Sequence, residues 1–176
     1  MFIDTFRKAC SPDAEAIVQL VNKAYRPEAG VSGWTHESDL VSGSRTRISQ
    51  IEAILSTPDS VIIVGLKGSE IASCVHVEKD QSHSHIGMLA VNSVLQGAGL
   101  GKQMLAQAES YASENFGSEK FIMGVVTSRA ELIAFYLRQG YQKTGLITDY
   151  PESAGVGIPR HAGLKVEVLE KRANHA

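Results

Sequence analysis

The stretch from His85 to Leu105, reading His-Ile-Gly-Met-Leu-Ala-Val-Asn-Ser-Val-Leu-Gln-Gly-Ala-Gly-Leu-Gly-Lys-Gln-Met-Leu, constrains the fold more than any other part of the chain. An apolar strand runs through a short polar crossing and a glycine-rich turn into the start of an amphipathic helix. Glycine lets the backbone come close to a ligand, and the first N–H groups of a helix point out of its N-terminus, where the macrodipole favours an anion. The stretch therefore has the layout of a phosphate-binding turn.

Two common turns of this kind do not fit. A P-loop needs a glycine, four residues and then Gly-Lys-Ser/Thr; here Gly101-Lys102 is followed by Gln103, and Gln96-Gly97 stands out of register for the first glycine. The dinucleotide pattern G-x-G-x-x-G fails because Gly97-x-Gly99-x-Gly101 has the wrong last interval. What remains is Gln96-x-x-Gly99-x-Gly101, preceded by Leu89-x-Val91.

The chain has 176 residues, 43% of them hydrophobic and 20% charged, which suits a single domain, 1–176, with a core that needs neither disulfides nor metal. Its net charge of -2 and the lack of a lysine and arginine cluster argue against nucleic acid or an anionic membrane as partner. No apolar run is long enough to span a bilayer, and Met1-Phe2-Ile3-Asp4 lacks the plan of a signal peptide, so a cytoplasmic location is expected. The two cysteines, Cys10 and Cys74, have no metal or redox spacing and read as small buried residues.

Periodicity places a strand over Phe2–Lys8 and a helix from Ser11-Pro12-Asp13 to about Tyr25, with Ile17, Leu20, Val21 and Ala24 inward. Arg26–Gly43 reads as a long loop with a turn of helix near Glu37–Val41, and Thr46–Ser56 as a second helix. Val61–Leu66 and Glu70–Glu78 form a hairpin, and Lys79–Ser84 reads as polar crossing material before the central strand. A third helix starts at Gly99 and stops at Gly117. Phe121–Val126 is a strand, and Ser128-x-x-Glu131 is a capping box for a fourth helix through Arg138. Tyr141–Thr148 and Leu164–Leu169 are the last strands. Helix crossovers after the fourth and fifth strands imply parallel pairing there.

Two blocks carry a resemblance. Gln96-x-x-Gly99-x-Gly101 after Leu89-x-Val91 is similar to the acetyl-CoA loop of the GCN5-related N-acetyltransferase (GNAT) family. Arg129-Ala130-Glu131-Leu132-Ile133-Ala134-Phe135-Tyr136-Leu137-Arg138-Gln139-Gly140-Tyr141 resembles its second block, a tyrosine-bearing helix ending in Gly-aromatic. Many relatives have Pro at the position of Ser93, Asn at that of Arg129 and Phe at that of Tyr141. The resemblance implies a mixed α+β, GNAT-like acyl-CoA N-acyltransferase fold, with a central mixed sheet of about seven strands flanked by four helices. It implies acetyl-CoA as donor and a primary amine of a small molecule or peptide as acceptor, and it leaves a homodimer open.

The resemblance also assigns residues. The pantetheine arm would lie along Leu89, Ala90 and Val91, and the pyrophosphate on the N–H groups of Gln96, Gly97, Ala98, Gly99, Leu100, Gly101 and Lys102; Arg129 stands where an asparagine usually touches the cofactor. Tyr136 matches the general acid, although beside Leu132 and Ile133 a core role competes. For the base, His76 and Glu78 alternate on one strand face and His85 begins the next strand; each also reads as a solvated strand residue. Trp34, His36, Glu37 and Arg45 fall where relatives build the acceptor pocket, the tryptophan as a lid or as a plug on the core, and Arg45 with Arg47 suits a substrate carboxylate. His83-Ser84-His85 has metal-ligand residue types without a third ligand nearby, so no metal site is read there. A non-catalytic acyl-CoA-binding regulatory module and an acyltransferase for longer acyl donors are the alternatives.

Overall fold

The computed structural model describes residues 3, 5–26, 40–95, 99–160 and 162–174. In chain order these form β1 (Thr5–Lys8), α1 (Ala14–Tyr25), β2 (Val41–Ser42), α2 (Ile48–Ser56), β3 (Ser60–Lys67), β4 (Glu70–Asp80), β5 (His83–Val91), α3 (Leu100–Phe116), β6 (Lys120–Val126), α4 (Ala130–Arg138), β7 (Gln142–Asp149), β8 (Ile158–Pro159) and β9 (Lys165–Arg172). Seven strands make one sheet in the order β1-β3-β4-β5-β6-β9-β7, and β2 pairs with β8 apart from it. The expected mixed sheet flanked by four helices is the observed one.

Both faces of the sheet are covered, which is why β3 reads as a continuous run of Val61, Ile62, Ile63 and Val64 rather than as an alternation. On one face Ile17, Leu20 and Val21 of α1 and Ile51 of α2 pack on Ile62, Val64, Cys74, Met88 and Ala90. On the other, Met104, Leu105 and Ala108 of α3 and Leu132, Ile133 and Tyr136 of α4 pack on Ile63, Val75, Val77, Phe121 and Leu169. α3 is held in a fixed length by glycines at both ends. Gly99 precedes it at φ +78 and Gly117 ends it at φ +63, with the Ser118 N–H donating back to the Ala112 carbonyl at 3.1 Å.

Several expected boundaries move. Lys79–Ser84 is not a crossing: β4 continues to Asp80 and β5 starts at His83, so the hairpin turns at Gln81-Ser82 with Gln81 at φ +57. Val41 is in a short strand paired with Pro159, not in a helical turn; the rest of that predicted turn, Glu37–Leu40, lies outside the described residues except for Leu40. α4 begins at Ala130 with Arg129 as its N-cap and no side-chain cap, so the Ser128 capping box does not form. Cys74 is buried as expected, but Cys10 is exposed in the turn after β1, its thiol 3.4 Å from an Asp13 carboxylate oxygen.

The expected parallel pairing holds at β5–β6 only. After β6, the α4 crossover carries β7 past the neighbouring place, and β9 enters that gap antiparallel to both β6 and β7. β7 becomes the sheet edge, exposed along its whole length.

β4 places His76 opposite Ile62 and Gly87, with its Nε2 2.8 Å from the Ser60 hydroxyl. Burial, and then the positive charges of Arg45 and His85, push its pKa down from 6.5 to about 4. The unfolded chain therefore takes up this proton first as pH falls: the full stability is present above about 6.5 and is lost as pH drops toward 4. Between pH 7 and pH 5 the protein should lose roughly 1–2 kcal/mol of unfolding free energy that the His76→Gln variant does not lose. Urea unfolding of both proteins at the two pH values measures the difference, and parallel losses would reject it.

Candidate functional site: a cavity where two parallel strands part

β5 and β6 share only three partner pairs, His83 with Lys120, Ser84 with Phe121 and His85 with Ile122. Beyond His85, the stretch Ile86–Ala90 has β4 on one side and no strand partner on the other among the described residues. The cause is in β5 itself. Between the pairs Cys74–Ala90 and His76–Gly87, Val75 alone faces Met88 and Leu89, a bulge in which Met88 takes φ +53. A bulge bends its strand and sharpens the twist, and a left-handed non-glycine residue inside a strand costs of order 1–3 kcal/mol. Such strain persists where the surroundings impose it, with Met88 buried against one face and Leu89 against the other.

The parting encloses a cavity of about 270 Å³. Its walls are Ile86–Leu89 of β5, Met123–Val126 of β6, Arg129, Leu132 and Tyr136 of α4, Tyr25 and Arg45, and the segment Thr148–Pro151 with Val156 and Val166. A more open depression of about 660 Å³ lies against α1, but it is away from the parting, and there Arg7 and Asp13 neutralise each other at 2.7 Å. The smaller cavity is the candidate site because it reaches the sheet interior at the point where backbone groups of a strand lack a neighbouring strand.

Tyr136 is buried in the wall, with its ring edge-to-face to Phe135 and Tyr141 at 5.2 and 6.0 Å. Burial is the main cause that pushes its phenol pKa upward; Tyr25 adds to this and Arg129 opposes it. The group is neutral and protonated at physiological pH. It belongs both to the core and to the cavity wall.

Arg45 also reaches the cavity. The Asn22 carboxamide oxygen accepts the backbone N–H groups of Arg45 and Thr46 at 2.9 and 3.1 Å, and the Arg45 guanidinium lies 5.4 Å from the Tyr25 ring centre. Arg47 is instead the N-cap of α2 and does not line the cavity. The far wall is pinned by Arg26, whose Nη2 donates to the Tyr150 hydroxyl at 3.1 Å and the Val156 carbonyl at 2.8 Å.

Of the other expected residues, Leu89 lines the cavity, whereas the Ala90 and Val91 side chains turn into the core. Gly99, Leu100, Gly101 and Lys102 are where the α3 N-terminus was expected; the Gln103 N–H bonds the Gly99 carbonyl at 3.1 Å, and the N–H groups of residues 100–102 precede it. Gln96, Gly97, Ala98, Trp34, His36 and Glu37 lie outside the described residues. His76 and Glu78 are not in the cavity wall. They sit one strand away on the α1 face, but Gly87, the cross-strand partner of His76, is in the wall and has open space where a side chain would stand.

Sequence reasoning did not find Tyr25, Met88, Asp149 or Tyr150 in this wall. Tyr25 and Asp149 end their elements, where patterning is silent about direction. The Met88 bulge leaves no composition signal because Ile86–Val91 has no polar side chain to mark a change of face.

The arrangement has relatives. The sequence model of the acetyltransferase (GNAT) family matches residues 15–141. Over 81 residues the chain is 37% identical to the blasticidin-S acetyltransferase of Streptomyces morookaense, a match that covers 46% of this chain and 55% of that protein. The chain thus spans about half the length of this curated relative. Among solved structures, the ribosomal-protein-alanine N-acetyltransferase of Brucella melitensis has a TM-score of 0.70 at 18% identity over 96% of this chain and 99% of that one. An N-acetyltransferase from Staphylococcus aureus has a TM-score of 0.71 at 15% identity over 96% and 97%. At such identities the structural likeness speaks for the fold, and the family match, running from α1 to Tyr141 through both sequence blocks, speaks for kinship: the chain belongs to the acetyltransferase (GNAT) family.

Proposed function

We propose that this protein transfers an acetyl group from acetyl-CoA to a primary amine of a small molecule or peptide, by direct attack in the cavity between β5 and β6. The observation that carries the reading is the parting of these strands after His85 and Ile122, next to a helix N-terminus introduced by glycine. A strand edge without a neighbour suits an extended, amide-bearing chain added as a further strand. The first turn of α3 suits a pyrophosphate, with Gln96 to Lys102 supplying the donors. When bound, acetyl-CoA supplies an activated thioester at the cavity.

The residues of the chain then have separable tasks. The β5 backbone at Leu89, Ala90 and Val91 aligns the donor, and an N–H near Leu89 polarises the carbonyl that is attacked. Tyr136 holds a proton on its phenol oxygen at the cavity wall and donates it to the departing sulfur. Burial raises the proton affinity of a thiolate formed there as well as that of the phenol, which keeps the transfer matched. Glu78 takes the amine proton through water, and His76, held neutral by its burial, relays the hydrogen bond across the bare backbone of Gly87. Arg129 at the start of α4 contacts the cofactor, and Arg45 pairs an acidic group on the acceptor. Trp34, His36 and Glu37 complete the acceptor side.

Free-thiol release from acetyl-CoA tests the whole reading, with pooled amines, polyamines, amino acids, blasticidin S and peptides with free N-termini as acceptors. Release above the acceptor-free rate with at least one pool is expected. Tight binding of the cofactor with no turnover on any pool would instead mark a binding module.

Two substitutions and one control variant test the parts. Tyr136→Phe should lower kcat by about 100-fold or more with the dissociation constant for acetyl-CoA little changed; full activity would remove Tyr136 from the mechanism. Gly99→Val puts a β-branched residue at φ +78 and should weaken acetyl-CoA more than about tenfold. Gly117→Val imposes similar strain at the other end of α3 and should leave that binding unchanged. Equal effects of the two on affinity would mean that strain, and not the phosphate site, is being read.

A further inference from the structure

The turn of the β4–β5 hairpin carries a cluster that the acyl-transfer site does not use. Asp80 ends β4 and His83 begins β5, and the two are cross-strand partners. His85 follows two residues later, which returns its side chain to the same face. Both imidazoles converge on one atom: His85 Nε2 is 3.2 Å and His83 Nε2 is 3.4 Å from Asp80 Oδ2. The rings stand edge-to-face with centres 5.4 Å apart, and the three potential ligand atoms all lie within 4.8 Å of one another.

We infer that Asp80, His83 and His85 form a binding site for one divalent transition-metal ion, with zinc as the reference. Metal–ligand bonds of about 2.0–2.2 Å place neighbouring ligands of a tetrahedral ion about 3.4 Å apart. The two oxygen–nitrogen separations already have this value, and rotation of the more exposed His85 ring, 49% accessible, closes the third. Two imidazoles and one carboxylate suit zinc, nickel, cobalt or copper, whereas calcium and magnesium prefer oxygen throughout.

The local charges agree with a cation. Glu78 faces His85 across the hairpin, on the same side. Lys120 faces His83 from β6, but its ammonium is turned to Glu170 at 3.3 Å. The two strands fix the three ligand backbones, so little ordering remains for the ion to impose. Each histidine must offer an unprotonated Nε2 to the ion. The ion ties β4 to β5 immediately before β5 leaves β6, and His85 belongs to the last pair of that short ladder.

The test uses the full chain stripped with EDTA and dialysed, titrated with zinc chloride by calorimetry and followed in parallel by thermal unfolding. One ion per chain is expected, with a dissociation constant of about 1 μM or tighter, a raised Tm and little response to calcium or magnesium. His85→Gln and Asp80→Asn should each weaken binding by more than about tenfold with unchanged circular dichroism. Cys10→Ser, which removes the exposed thiol, should bind as the wild type does. Loss of binding in Cys10→Ser with retention in His85→Gln would overturn the site. So would equal affinity for calcium, or only weak binding without a fixed stoichiometry, which would mean an adventitious ion only. The readout is binding, so either result leaves the acyl-transfer reading to its own experiment.

Discussion

Met88 adopts a left-handed backbone conformation inside a strand, and the bulge it makes opposite Val75 bends β5 away from its parallel neighbour. A sheet buried on both faces ordinarily runs its ladders to full length, because unpaired backbone groups in an apolar setting are costly. Here the β5–β6 ladder stops after His85 and Ile122. The cavity and the access of Tyr136 to it follow from that break.

Polar clamps hold the opening in shape from outside. Asn22 fixes Arg45 and Thr46 to the end of α1, Arg26 fixes Tyr150 and Val156, and the Gln50 side-chain amide donates to the Gly155 carbonyl at 3.0 Å. The Arg26 and Gln50 bonds join segments more than a hundred residues apart, whereas the Asn22 bonds tie α1 to the start of α2. On the opposite face, Glu109 of α3 accepts from both the Tyr141 hydroxyl and the Lys171 ammonium, which ties α3 to β9 and backs the ring of Tyr136. The site is thus a gap in one sheet between two well-packed layers, with Arg26 and the Tyr150 hydroxyl both anchored on the Val156 carbonyl at its edge.

Legibility in the sequence followed interaction range. The glycines around α3 were readable because left-handed termini demand that residue type, and Tyr136 was readable because a helix-borne block carried it. Cys10 misled: small apolar character predicts burial, but a residue in the turn before α1 has no layer above it. The strand pairing beyond β6 was half legible. A helix crossover fixes the direction of β7, but nothing in the order of elements says that β9 will slip between β7 and β6. His76 was visible as a polar residue on a strand, and its relation to the cavity through Gly87 was not, since that depends on the register of two strands.

By itself, the sequence determined the types of the four helices and of the seven main-sheet strands, and the family, because each rests on periodicity, on glycine chemistry or on a contiguous block of residues. The tertiary structure alone decided where β5 leaves β6, which side chains share the cavity, and that Asp80 meets two histidines across a hairpin turn. Those outcomes depend on strand register and on one strained residue, and a shift of one position in either would turn the same side chains to opposite faces.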